Sequence, residues 1–416
     1  MFEKSLDVSL KALPSNHPSL ANIYNNIAAI YIMKRDYDKC IEHVTKALDI
    51  QEISLDSDHL DIAQSYDNIS QIYFAQGDND IAIKYLHMSL SKQKNADVTF
   101  HPRLAKTYYY LAQALFREGR LHESIENFER SLDMHRKILP ADHKDISTLY
   151  NELAHIYYKQ ENYRRSSDYW NKVLEIQLKS LPIHSLKLAK AYNNLGSAYW
   201  KQGIFYSALT MFEKSLQIEL QSRPTNHIET ALIYRNISEV YSSLGHHQKV
   251  LEYLNKVIAI QMKLLPANDL FFATVYFSLG YANSEIGKFR EALEMYEKCL
   301  QIPLEMLESN HPDIADTYNN MADIYNRQGN YKNAVENCNK ALEVRLNANP
   351  VNYRSLTVIY KCLAGVFYKQ NQLDKALEYI KKAYNIYESE IGINDPEIGD
   401  YKLFIDMLEK KIKETT

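Results

Sequence analysis

Cysteine and histidine are the side chains here that could ligate a metal or attack an electrophile, and their spacing suits neither task. Cys40, Cys299, Cys338 and Cys362 form no C-x-x-C pair and have no histidine at a zinc-ligand interval, so they read as reduced core thiols. His17, His59, His101, His143, His227 and His311 recur in steps of 42 residues or a multiple of it, a whole structural unit apart, and cannot converge on one ion. Gly280 to Gly287-Lys288 has the outline of a phosphate loop, but the glycines stand seven apart instead of five and no Ser or Thr follows the lysine. Asn68-Ile69-Ser70 and Asn236-Ile237-Ser238 match the glycosylation sequon, yet both fall inside predicted helices and are expected to be unmodified. A different chemistry is written between residues 106 and 201. There Lys106, Tyr109, Phe116 and Arg117 are followed by Asn151, His155, Tyr158 and Lys159, then by Lys190, Asn193, Trp200 and Lys201. In this alternation the carboxamides would bond a peptide backbone, Trp200 and Tyr158 would hold an apolar or aromatic anchor, and the lysines would pair with flanking acids. The alternative is that long Lys and Arg side chains merely solvate a helix face.

The elements that position these residues come from a repeat. Tyrosine recurs every 42 residues at Tyr24, Tyr66, Tyr108, Tyr150, Tyr192, Tyr234, Tyr276, Tyr318 and Tyr360. Three residues on stands an aliphatic side chain, beside it a small one, as in Leu195-Gly196, and this spacing puts them on one helical face. The helix then ends at Gly77, Gly119, Gly203, Gly245, Gly287 or Gly329, residues suited to a left-handed C-cap. Arg35, Glu161 and Asn371 stand in that column elsewhere, so those turns are expected to be costlier or differently shaped. A second helix follows with its own small column, including Cys40, Ser124, Ser166 and Ala208, which lets the two helices approach closely. Linkers such as Asn16-His17-Pro18, Asp142-His143-Lys144, Asn226-His227-Ile228 and Asn310-His311-Pro312 supply capping groups and a proline for the first turn. Pro303, outside the linker columns, predicts a kink or early end in its helix.

The order Tyr192-x-x-Leu195-Gly196-x-x-Tyr199, then Gly203, Ala208, Phe212 and Ser215, resembles the tetratricopeptide signature, although the proline that closes that signature is not in its usual place. The 42-residue unit is similar to the subclass found in kinesin light chains and nephrocystin-type proteins. The resemblance implies an all-α, right-handed α-solenoid of antiparallel helix pairs whose first helices line a concave face. It predicts three parts: residues 1–16, an orphan second helix plus linker in which Phe2-Glu3-Lys4-Ser5-Leu6 repeats the pattern of Phe212–Leu216; residues 17–394, nine units; and residues 395–416, a polar capping helix begun by Asp395-Pro396.

What this implies is a non-catalytic scaffold, cytoplasmic, that takes protein or peptide partners, acidic with an aromatic anchor by analogy with kinesin light chains. The heptad segment that engages the motor in that family does not occur in this sequence, and a targeting or regulatory segment of a larger enzyme or signalling protein is the other reading. No cofactor, metal or small-molecule substrate is implied. A formal net charge of −4 with 24% charged residues leaves no polybasic footprint for nucleic acid. No run approaches the roughly 20 apolar residues that membrane insertion needs. The chaperone-tail clamp of related arrays would need Lys, Asn and Arg at fixed places in three successive units. Asn25 with Ala29, Asn151 with His155, Lys190 with Asn194 and Lys361 with Gly365 do not supply it.

Overall fold

A computed structural model describes residues 2–57, 59–95, 102–223, 227–266, 269–306, 312–348, 351–391 and 397–415. His101, Asn226, Asn310, His311 and the Asp395-Pro396 start, with the expected boundary beside it, lie outside the described residues, as do the side chains of Phe2 to Ser5. The described residues form helices without a strand, in two compact units, residues 1–218 and 219–416.

In the first unit α1 (Phe2–Ala12) precedes the pairs α2 (Pro18–Lys34) with α3 (Tyr37–Ser54), α4 (Leu60–Gln76) with α5 (Asn79–Asn95), α6 (Pro102–Arg117) with α7 (Leu121–Ile138), α8 (Lys144–Lys159) with α9 (Tyr163–Ser180), and α10 (Leu186–Lys201) with α11 (Phe205–Ser222). In the second, α12 (Ile228–Ser243) pairs with α13 (His247–Gln261), α14 (Leu270–Glu285) with α15 (Phe289–Met306), α16 (Pro312–Arg327) with α17 (Tyr331–Leu346), and α18 (Tyr353–Lys369) with α19 (Leu373–Ile386), before a short π-turn at Tyr387–Ile391 and α20 (Ile398–Thr415). Within each unit the two helices of a pair pack on one another and each pair packs on the next, which is the antiparallel pairing of an α-solenoid.

The linker histidines act as caps. The Nδ1 atoms of His17, His59, His143 and His227 each accept from the backbone N–H two residues on, at 3.2 Å. Ser185 and Asp269 do the same where the column lacks histidine. At the other end of the first helix Gly203 takes φ +77°, and Arg35, Glu161 and Asn371 take φ 59°, 60° and 60°. The three turns expected to differ in shape therefore keep the left-handed form, and their side chains bear the steric cost. α15 runs through Pro303 to Met306, 18 residues like α7, so the early end expected there does not occur. A proline near a helix's last turn removes little, because the pairing extends over the whole length of the helix.

Between the helices of a pair the small columns do more than admit close approach. Ser124 Oγ donates to the Ala112 carbonyl at 2.7 Å and Ser166 Oγ to that of Ala154 at 2.9 Å, and Cys40 Sγ lies 3.2 Å from the Ala28 carbonyl. A Cβ at Gly196 would stand 2.8 Å from the Phe212 ring, so glycine is required where the second helix brings a phenylalanine ring this close. Aromatic residues seven after the repeating tyrosine stack on rings of the second helix, Tyr73 on Tyr85, Tyr157 on Tyr169 and Phe367 on Tyr379, within 8° of parallel. A basic column 22 residues after the tyrosine lies over the tyrosine rings themselves. Lys172 stands 5.5 Å from the centroid of Tyr150, Lys214 5.5 Å from Tyr192 and Lys340 5.7 Å from Tyr318.

Candidate functional site

The first-helix residues singled out between 106 and 201 divide into two groups. One converges on a pocket. Along α8, positions 144, 148, 151 and 155 share a face by their spacing of three and four; along α10, positions 187, 190 and 194 do the same. Lys144, Thr148, Asn151 and His155 thus meet Lys187, Lys190 and Asn194 across a pocket of about 490 Å³, floored by Ile176, Gln177, Ser180 and Leu181 from the end of α9. Three of the expected residues (Asn151, His155 and Lys190) are in it. Lys144, Lys187 and Asn194 were missed. Their signal is the same helical spacing, extended two turns toward the N-terminus of α8 for Lys144, one turn toward the N-terminus of α10 for Lys187 and one turn the other way for Asn194.

The electrostatics of the pocket favour an anion. Lys144, Lys187 and Lys190 line it with Asp145 as the single carboxylate, and Asp145 Oδ2 lies 3.7 Å from His143 Nδ1. None of the three ammonium groups is in an ion pair with a described residue. His155 reaches the surface at its rim but packs edge-on against Trp170, centroids 4.8 Å apart, and this desolvation holds its pKa below the usual histidine value. At neutral pH it therefore offers a neutral ring, with the positive charge left to the lysines.

The other group lies outside this pocket, and most of it is engaged by packing, some of it between neighbouring repeats and some within one. Arg117 lies 3.6 Å from the centroid of Phe74 and donates to the Phe74 carbonyl at 2.9 Å. Lys159 stands over Phe116 at 4.7 Å, one repeat further on. Tyr158 meets Tyr163 edge-on at 5.2 Å. Tyr109 packs edge-on against Phe128 and accepts from Gln113 Nε2 at 2.8 Å; burial pushes its phenol far above the ordinary value. Trp200 is half-buried with the ammonium of Lys201 4.4 Å from its ring. Lys106 is exposed, and Asn193 is half-buried beside Asn194.

The counterpart in the second unit is a pocket of about 440 Å³ between α14, α16 and α18, lined by Tyr281, Glu285, Asn319, Asp323, Arg327, Lys361 and Cys362 among others. Its charges are internally matched, with Arg327 Nε 2.7 Å from Asp323 and Nη2 3.5 Å from Glu285. Gly280 is helical against the Tyr296 ring and Gly287 is the left-handed residue, φ +78°, that follows the C-cap Ile286, so both are used by the helix pair.

The tetratricopeptide repeat pattern matches residues 19–95, 103–179, 187–263 and 313–389, with a further match at 273–305. The chain belongs to the tetratricopeptide repeat family. Arrays of this family are in general non-catalytic scaffolds, and a scaffold for protein interaction is the class of protein the helix pairs define here. No curated protein matches the chain. Among solved structures it is similar to the TPR-like repeats of a putative kinesin light chain of Podosopora anserina, 22% identical over 49% of this chain and 97% of that one, TM-score 0.45. It is also similar to BtubC of P. vanneervenii, 18% identical over 59% and 92%, TM-score 0.44, and to the apo form of RapI, 16% identical over 68% and 97%, TM-score 0.49. No helix among the described residues is long and apolar enough to cross a membrane.

Proposed function

We propose that the first-helix face of α6, α8 and α10 is a docking site for an extended acidic peptide with an aromatic anchor, and that the protein is an adaptor that holds its partners there. The observation that carries this reading is the convergence of Asn151, His155 and Lys190, from two consecutive repeats, on one pocket with two further lysines, none of the three lysines being in an ion pair with a described residue. Carboxylates of the ligand pair with Lys144, Lys187 and Lys190, while Asn151 and Asn194 bond its backbone. Trp200 stands ten residues beyond Lys190 on the same helix, roughly 15 Å along its axis. An extended chain covers that distance in about four or five residues. The ligand thus carries its acid about four or five residues from its aromatic side chain, an arrangement resembling the cargo peptides of kinesin light chains.

The test is fluorescence polarisation with a labelled peptide that has Glu and Asp flanking a tryptophan at this separation. Lys190→Glu is expected to weaken binding about tenfold and to flatten its salt dependence. Trp200→Ala is expected to cost about 2 kcal/mol of binding. Phe277→Ala and Arg327→Ala, in the second unit, leave affinity unchanged. A peptide insensitive to Lys190 and Trp200 but lost with Phe277 overturns the assignment.

A further inference from the structure

Cys338 and Cys362 are 24 residues apart on α17 and α18, and no spacing motif joins them. Packing of one repeat on the next brings their sulfurs to 3.3 Å, the Cys338 thiol donating to Cys362 Sγ. Cys338 is fully buried, in an apolar cluster with Ala341, Ile359 and Leu363. Cys362 is half-buried and lines the pocket of the second unit beside Lys361. It occupies the column that in the first unit holds Asn194, a lining residue of the lysine-rich pocket. One sulfur is therefore reachable from solvent and the second waits directly behind it. The other two cysteines differ: Cys40 is buried against the Ala28 carbonyl and Cys299 against the Thr317 hydroxyl, each without a neighbouring thiol.

We propose that Cys338 and Cys362 form a redox-active dithiol, a modification site whose co-substrate is a peroxide and whose oxidised form is a disulfide joining α17 to α18. In the first step Cys362 sulfur attacks one peroxide oxygen; the O–O bond breaks, the thiol proton leaves with the departing oxygen, and Cys362 becomes a sulfenic acid with release of water or alcohol. In the second, Cys338 sulfur attacks the sulfenic sulfur, the S–O bond breaks, and water leaves with the Cys338 proton as the S–S bond forms. Two thiols give up two electrons and the peroxide takes them. The hydrogen bond to Cys362 and burial both raise the pKa of Cys338, which keeps it protonated and leaves the first attack to Cys362, while the 3.3 Å approach of the two sulfurs places Cys338 for the second. The sulfurs close from 3.3 Å to about 2.05 Å, so α18 is drawn onto α17 along the wall of the pocket.

The experiment treats the folded full chain with hydrogen peroxide, then denatures it in an alkylating agent and counts thiols. The expected result is a fall from four free thiols to two, restored by dithiothreitol, with a non-reduced digest yielding one linked peptide pair containing Cys338 and Cys362. Cys362→Ser is expected to keep its remaining thiols under the same dose. A thiol count that stays at four, Cys362 accumulating as sulfinic acid without the linked pair, or a linkage between two chains overturns the proposal. Independently of peroxide reactivity, phenylarsine oxide, which bridges adjacent thiols, is expected to be retained by the native chain and lost in Cys362→Ser. Its failure to bind the native chain equally overturns the proposal.

Discussion

The pockets on α8/α10 and on α14/α16/α18 are both built on first helices of the repeat, yet they use charge in opposite ways. In the first, three lysines face one carboxylate and stay outside any ion pair with a described residue. In the second, the acidic residues Glu285 and Asp323 are engaged by Arg327, and elsewhere on α16 Asp316 is engaged by Arg345 at 2.6 Å. A charge in a groove recruits a ligand only when the fold has left it uncompensated, so the count of charges along a helix face says less than their pairing.

The largest test of this contrast is Asp316→Ala. Arg345 is 2% exposed, its Nε has no partner, and removing its acid leaves a buried cation. A loss of about 3 kcal/mol is expected, near the low end for a broken buried pair because Asp316 itself reaches water. Chemical denaturation checks it; a loss of a few tenths would mean that Asp316 is free to serve a ligand and would break the comparison.

Next comes Asp67, the first unit's own counter-example, a carboxylate 3% exposed. Burial raises its pKa to about 6, against hydrogen bonds from Thr107 at 2.9 and 3.2 Å and the attraction of Arg103. With the folded value above the unfolded one, the native state binds the extra proton between about pH 4 and 6. This group's contribution therefore favours folding below about pH 4, falls as pH rises to about 6, and is flat above. Asp67→Asn should remove that slope and gain roughly 2–3 kcal/mol at neutral pH relative to pH 4. Denaturant midpoints of both proteins across this range measure it; parallel curves would show Asp67 to be compensated like Asp316.

The smallest effect compares the two units at one turn. Glu161 and Asn371 both sit at φ 60° in the C-cap column. Glu161→Gly is expected to stabilise by about 1 kcal/mol and Asn371→Gly by less, since asparagine tolerates the left-handed region better. Equal gains in thermal melts would mean that the Glu161 side chain bears no special cost.

Much of the fold was legible because the repeat writes the same packing demand nine times. Tyr192, Leu195, Gly196 and Gly203 are each dictated by a local rule, helical spacing or a left-handed cap, and the histidine caps followed from the same linker column. The site was legible only in part. Asn151, His155 and Lys190 emerged from column reading, whereas Arg117 and Lys159 looked equally available but are held on Phe74 and Phe116 of the preceding repeat. That the basic column containing Lys172 and Lys214 lies over the repeating tyrosines follows from no local rule and shows only in the packing of the helix pair.

The sequence by itself thus determined the helix pairs, their ends and the residues buried between them, since these depend on neighbours a fixed few positions away. Which lysine is left for a ligand, which carboxylate is compensated, and that Cys338 meets Cys362 were decided by the tertiary structure alone. Those facts depend on the register with which one repeat stacks on the next, and contacts across that interface join residues about 24 to 43 positions apart through side-chain geometry that no periodicity encodes.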